Sequence, residues 1–180
     1  MKNLVIEVSK IPPGGLAIDS PLQPEAVHLE GEKAFSLVSG RLQARLEKGD
    51  EESVHVRGHL DARLKLECGR CLEPFEMDLD QDLELFFLSH VADQVEEEDE
   101  VELSDHDMVV AYYRDNRLDL GEAVREQILL GLPLKGLCRQ DCQGLCPHCG
   151  VNRNATACAC TIEEAEDPRL APLRKLFEKH

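Results

Sequence analysis

Eight cysteines carry the chemistry this chain can do, and they fall in four close-spaced pairs: Cys68-Gly-Arg-Cys71, Cys138-Arg-Gln-Asp-Cys142, Cys146-Pro-His-Cys149 and Cys158-Ala-Cys160. Two thiolates this close in sequence can both reach one ion at a bond length of about 2.3 Å when the backbone between them turns tightly, and two such clips complete a tetrahedron. Gly69, Pro147 and Gly150 suit those turns. Each pair therefore supplies half a zinc site, and two structural zinc ions are the expected cofactor. Cys146, Cys149, Cys158 and Cys160 form the most economical single site, because they are contiguous in sequence and need no long loop closure. Cys138 and Cys142 then join Cys68 and Cys71. A second partition is open, in which Cys138, Cys142, Cys146 and Cys149 share one ion and the outer pairs meet. In either scheme His148 can replace a cysteine. Eight thiols fill two closed four-ligand sites and leave no position for water, so the zinc is read as structural and the chain as non-enzymatic.

Two enzymatic readings fail on local context. A thioredoxin-like oxidoreductase places its Cys-x-x-Cys after a strand and at the start of a helix, whereas Cys68 and Cys71 sit between two strand patterns. A zinc deaminase needs His-x-Glu followed by Pro-Cys-x-x-Cys. His28-Leu-Glu30 is present, but Glu67 and Leu145 stand where the proline should be. The remaining histidines, His28, His55, His59, His90, His106 and His180, are read as ordinary solvent-facing residues.

The elements that must position the thiols follow from hydrophobic period. From Val54 to Cys68 every even position is apolar or small and the odd positions from His55 to Glu67 are polar, which predicts a long half-buried strand. Phe75 to Phe87 alternates likewise, with Phe75, Met77, Leu79, Leu83, Leu85 and Phe87 on one face and acidic residues on the other. Paired as a hairpin around residues 69 to 74, the two place Lys65 opposite Asp78 and Arg63 opposite Asp80, with Cys68-x-x-Cys71 at the tip. Leu42, Ala44 and Leu46 extend this into an antiparallel meander, and residues 3 to 8 suggest one more strand. After a short strand at Met108 to Tyr113, Asp119 and Glu122 form an N-terminal capping pair for a helix that Pro133 stops. A second, docking helix is predicted from Asp167, with Leu170, Leu173, Leu176 and Phe177 on one stripe.

The expected fold is α+β: an antiparallel β-meander packed with one or two helices, plus a small C-terminal zinc-binding module of ribbon or knuckle type. Its divisions are a β-rich region over 1–92, an acidic loop over 93–107, a strand and helix over 108–137, and the zinc module with its docking helix over 138–180. Nine of the residues from 93 to 107 are acidic and none is Lys or Arg. The whole chain carries a formal net charge of -16, which tetrathiolate zinc sites make more negative, so basic proteins are the electrostatically favoured partners. Direct RNA contact needs a local basic patch, such as Arg70, Lys135, Arg139 and Arg153 around the zinc sites. The amino end carries Glu7 within its apolar stretch and shows no signal-peptide cleavage site, and no apolar run approaches the roughly 20 residues of a membrane span. A reducing cytoplasm is the expected compartment, where clustered cysteines bind metal rather than forming disulfides.

Leu66-Glu-Cys-Gly-Arg-Cys-Leu-Glu-Pro-Phe75, Leu132-Pro-Leu-Lys-Gly-Leu-Cys138 and Asp141-Cys-Gln-Gly-Leu-Cys-Pro-His-Cys-Gly150, closed by Cys158-Ala-Cys160 and Asp167-Pro-Arg-Leu170, resemble the signatures of the YceD family. That resemblance implies a bacterial or organellar protein needed for accumulation or processing of large-subunit ribosomal RNA, without enzymatic activity. Its partner would be a basic ribosomal protein, the pre-ribosomal large subunit or an rRNA element. The competing expectation is a general zinc-dependent protein-binding adaptor unrelated to ribosomes.

Overall fold

Residues 4–50, 53–89 and 109–160 are described in a computed structural model. Their strands are β1 (Val5–Glu7), β2 (Leu16–Pro21), β3 (Phe35–Lys48), β4 (Val54–Glu67), β5 (Pro74–Ser89), β6 (Val109–Tyr113) and β7 (Arg117–Asp119), followed by the helix α1 (Leu120–Gly131). The acidic run at 93–107 and the docking helix from Asp167 lie outside the described residues, as do His90, His106 and His180.

Strict alternation makes β4 the spine of a five-stranded sheet ordered β2-β3-β4-β5-β6. Val54, Val56, Leu60 and Leu64 are fully buried on its inner face, beside Leu42 and Leu46 of β3 and Leu83, Leu85 and Phe87 of β5. These branched and aromatic side chains pack against α1, which buries Leu120, Ala123, Val124 and Ile128. Asp119 caps α1 by accepting from the Glu122 N–H at 3.2 Å, as its sequence signature requires. The architecture is α+β, a largely antiparallel sheet with one α-helix among the described residues. β6 departs from the meander by running parallel to β5, and β1 pairs with β7 in a separate two-stranded sheet.

The β4–β5 register differs from the sequence expectation by two residues. Arg63 faces Asp78 and Lys65 faces Glu76, not Asp80 and Asp78. A two-residue slip keeps every side chain on its own face, so alternation is blind to it and the turn decides. Here the Cys68 N–H donates to the Glu73 carbonyl and the Leu72 N–H to the Cys68 carbonyl, each at 2.9 Å. The strands consequently close at Glu67 and Pro74. In this register the Arg63 guanidinium forks onto Asp78, with Nε to Oδ1 at 2.6 Å and Nη2 to Oδ2 at 3.2 Å. That contact holds the Asp78 carboxyl below its ordinary range.

Candidate metal centres

The inward face of β4 runs on into the loop, so Cys68 is completely buried and Cys71 nearly so. The chain over Cys68–Leu72 turns back on itself through the Leu72 N–H bond to Cys68, with Leu72 in the left-handed region at φ 62°. Past α1, the segment carrying Gly136 comes alongside, and the Gly69 N–H donates to its carbonyl at 2.9 Å. Phe75 and Leu137 pack against the thiols, and Cys138 and Cys142 complete the group. A sheet tip and a helix-terminating linker thereby bring together two pairs distant in sequence.

The other group forms on a second turn of the same design. Over Cys146–Gly150 the Gly150 N–H donates to the Cys146 carbonyl at 2.9 Å and Gly150 takes the left-handed conformation at φ 73°. Leu145 and Asn152 form an antiparallel bridge behind it. Cys158 and Cys160 return to face Cys146 and Cys149. The structure thus has the more economical of the two partitions that spacing allows, and His148 contributes to neither group.

Within each group all four sulfurs lie within 4.8 Å of one another. For a metal–sulfur bond of about 2.3 Å, a regular tetrahedron has edges of about 3.8 Å. Cys68 and Cys142 are separated by 3.8 Å and Cys71 and Cys138 by 3.7 Å between sulfurs. These separations match tetrahedral edges and are far longer than a disulfide bond of about 2.05 Å. The electrostatics agree with the geometry. Backbone N–H groups of Cys138 and Cys71 draw the Cys68 thiol down to about 6, and those of Cys149 and His148 draw Cys146 down to about 6. Burial pushes Cys138 up to about 12, and the neighbouring Cys149 thiol, then burial, push Cys160 up to about 12. Four thiols this close cannot all ionise on their own; a divalent cation at the centre would supply the missing countercharge. Both groups therefore fit a four-thiolate metal ion.

Of the basic residues expected around the centres, two are engaged internally. Arg70 Nη1 donates to the Cys142 carbonyl at 2.9 Å, and Arg139 Nη2 donates to Asn154 Oδ1 at 2.8 Å. Lys135 and Arg153 are exposed and form no ion pair among the described residues. Asn154, which cysteine spacing gives no reason to single out, donates from Nδ2 to the sulfur of Cys142 at 3.3 Å. Two histidines also depart from the solvent-facing expectation. His55 stacks on Phe86 with ring centroids 4.1 Å apart. His59 Nδ1 lies 2.9 Å from Asp82 Oδ1, while its Nε2 lies 3.5 Å from Asp61 and from Asp80.

Residues 56–177, more than half of the chain, match the family model described as "Large ribosomal RNA subunit accumulation protein YceD". An uncharacterized protein of Mycobacterium tuberculosis is 39% identical over 102 residues, covering 56% of this chain and 45% of the relative. Another from Mycobacterium leprae is 30% identical over 112 residues, covering 62% of this chain and 48% of the relative. The "Large ribosomal RNA subunit accumulation protein YCED homolog 1, chloroplastic" of Zea mays is 34% identical over 64 residues, 36% of this chain and 22% of the relative. The chain thus spans less than half the length of the curated relatives it matches. No solved structure matches it.

Proposed function

Because the chain belongs to the YceD family, we propose that it is a non-catalytic factor of large-subunit ribosome biogenesis, required for accumulation or processing of the large ribosomal RNA. The observation that carries this reading is the family match over 56–177, a span that contains all eight clustered cysteines. The name of the maize chloroplast relative points to the same process.

In this reading each cysteine group holds one zinc ion, Cys68, Cys71, Cys138 and Cys142 at one centre and Cys146, Cys149, Cys158 and Cys160 at the other. Zinc supplies cross-linking there, since four thiolates leave a tetrahedral ion no position for a reacting water. The chain's own residues do the rest: backbone N–H groups hold the thiolates and the knuckle backbones aim them. A net charge of -16 favours a basic ribosomal protein, alone or within the pre-ribosomal large subunit, as the surface that is met. Direct rRNA contact is then confined to the zinc-bearing end, where Lys135 and Arg153 are exposed and the charge over residues 121–160 is near neutral.

The test is the rRNA profile of a strain lacking the protein. We expect large-subunit rRNA to fall relative to small-subunit rRNA and to recover when the intact gene is restored. Unchanged large-subunit rRNA would overturn the proposal and favour a zinc-dependent adaptor unconnected with ribosomes.

A further inference from the structure

Asn154 lies between Cys149 and Cys158, on the loop framed by the ligands of the second centre. Its side chain nevertheless serves the first. Nδ2 donates to the Cys142 sulfur at 3.3 Å and to Asn152 Oδ1 at 2.8 Å. Oδ1 accepts from the Gln143 N–H and from Arg139 Nη2, both at 2.8 Å. A backbone N–H and a guanidinium can only donate, so the carboxamide oxygen must face them and its nitrogen must face the sulfur.

The backbone around this contact is equally shared. The Leu145 N–H donates to the Arg70 carbonyl of the first knuckle at 3.0 Å, and the Arg153 N–H donates to the Gly144 carbonyl at 2.9 Å. Gly144 takes φ 70°, and a β-carbon there would lie 2.9 Å from the Arg70 carbonyl oxygen. The entry to the second centre is thus laid directly on the first.

We propose that the two metal centres load cooperatively and that Asn154 is the positioning residue through which the second strengthens the first. This rests on the zinc-binding part of the function proposed above. Four thiolates around one divalent ion leave a net charge of about -2, and an N–H donor on sulfur stabilises that charge. The loop that carries this donor runs between Cys149 and Cys158, and a common ion on those two thiolates fixes it in place. Emptying the second centre releases the loop and withdraws the donor from Cys142. Linkage is reciprocal, so filling the first centre favours the second by the same factor.

The test is chelator competition on the zinc-loaded full-length chain, with the cadmium-113 resonances of the metal-exchanged protein as a second readout. Replacing Cys149 and Cys158 together by Ser empties the second centre and should weaken the first about tenfold, the scale of an outer-shell contact. Asn154→Asp keeps oxygens for Gln143 and Arg139 but removes the donor from Cys142. It should weaken the first centre about as much, shift that centre's cadmium resonance and still bind two ions at saturation. Combined with the double Ser variant, it should cost less than about twofold more, because both changes break one connection. A first centre unaffected by emptying the second, losses that multiply in full, or an unmoved cadmium resonance would overturn the coupling alone. A wild-type chain that takes up fewer than two ions would overturn the zinc reading and the coupling with it.

Discussion

One left-handed residue closes each knuckle, Leu72 in the first and Gly150 in the second. Around Gly150 a β-carbon would meet nothing within 4 Å, so only backbone conformation opposes a side chain there. Gly150→Ala should cost about 1 kcal/mol of unfolding free energy in the metal-loaded protein, measured by denaturant titration. His59 offers a pH handle midway along the hairpin, where it pairs with Asp82. Its hydrogen bond to Asp82 raises its pKa above the ordinary histidine value; burial opposes this, and the charges of Asp80, Asp61 and Asp82 add to the rise. A raised folded-state pKa stabilises fully below the unfolded value of about 6.5 and is lost as pH rises through the folded one. Stability should therefore decline above about pH 6.5 in a component that His59→Gln abolishes, read from melting curves across that range. At this scale the cysteines were legible because thiol spacing alone implies a shared ion. Asn154 was not, since a carboxamide in a polar loop reads the same whether it faces water or a sulfur.

Among the elements, β4 and β5 could be read from the sequence because one apolar face repeats without interruption, and α1 because Asp119 and Glu122 mark its start. β2 could not. It is a six-residue edge strand with alternating half-buried positions, ending at Pro21, which an edge tolerates because no neighbour needs its missing N–H. β7 has three residues and exists through its pairing with β1, a contact remote in sequence. The parallel course of β6 is likewise a property of topology, which period cannot report. Helix α1 yields a prediction with an unusual sign. Glycine to alanine inside a helix ordinarily stabilises by up to about 1 kcal/mol. A β-carbon on Gly121, however, would lie 2.1 Å from the carbonyl oxygen of Ala26, in the short 3₁₀ turn Pro24–Val27 that packs on the helix start. Gly121→Ala should therefore destabilise by about 2 kcal/mol, measured by thermal or urea unfolding.

For the molecule as a whole, the first centre ties the tip of the long hairpin to the chain beyond α1, with sulfur pairs 67 and 74 residues apart. Stripping metal with a chelator should lower stability by about 4 kcal/mol for each centre at which free zinc had stood a thousandfold above its dissociation constant. Hydrogen exchange should then speed up over residues 132–160 while the sheet's amides stay protected, because the main core is a cluster of buried side chains that includes no cysteine. The same long span also orders events during synthesis. A ribosome delivers Cys68 and Cys71 well before Cys138 and Cys142, so a nascent chain offers an ion only two thiols until the sheet and its helix have been made. The filled first centre is in that sense a completion mark: a chain truncated anywhere before Cys138 keeps half a grip and cannot earn the second half from its own sequence.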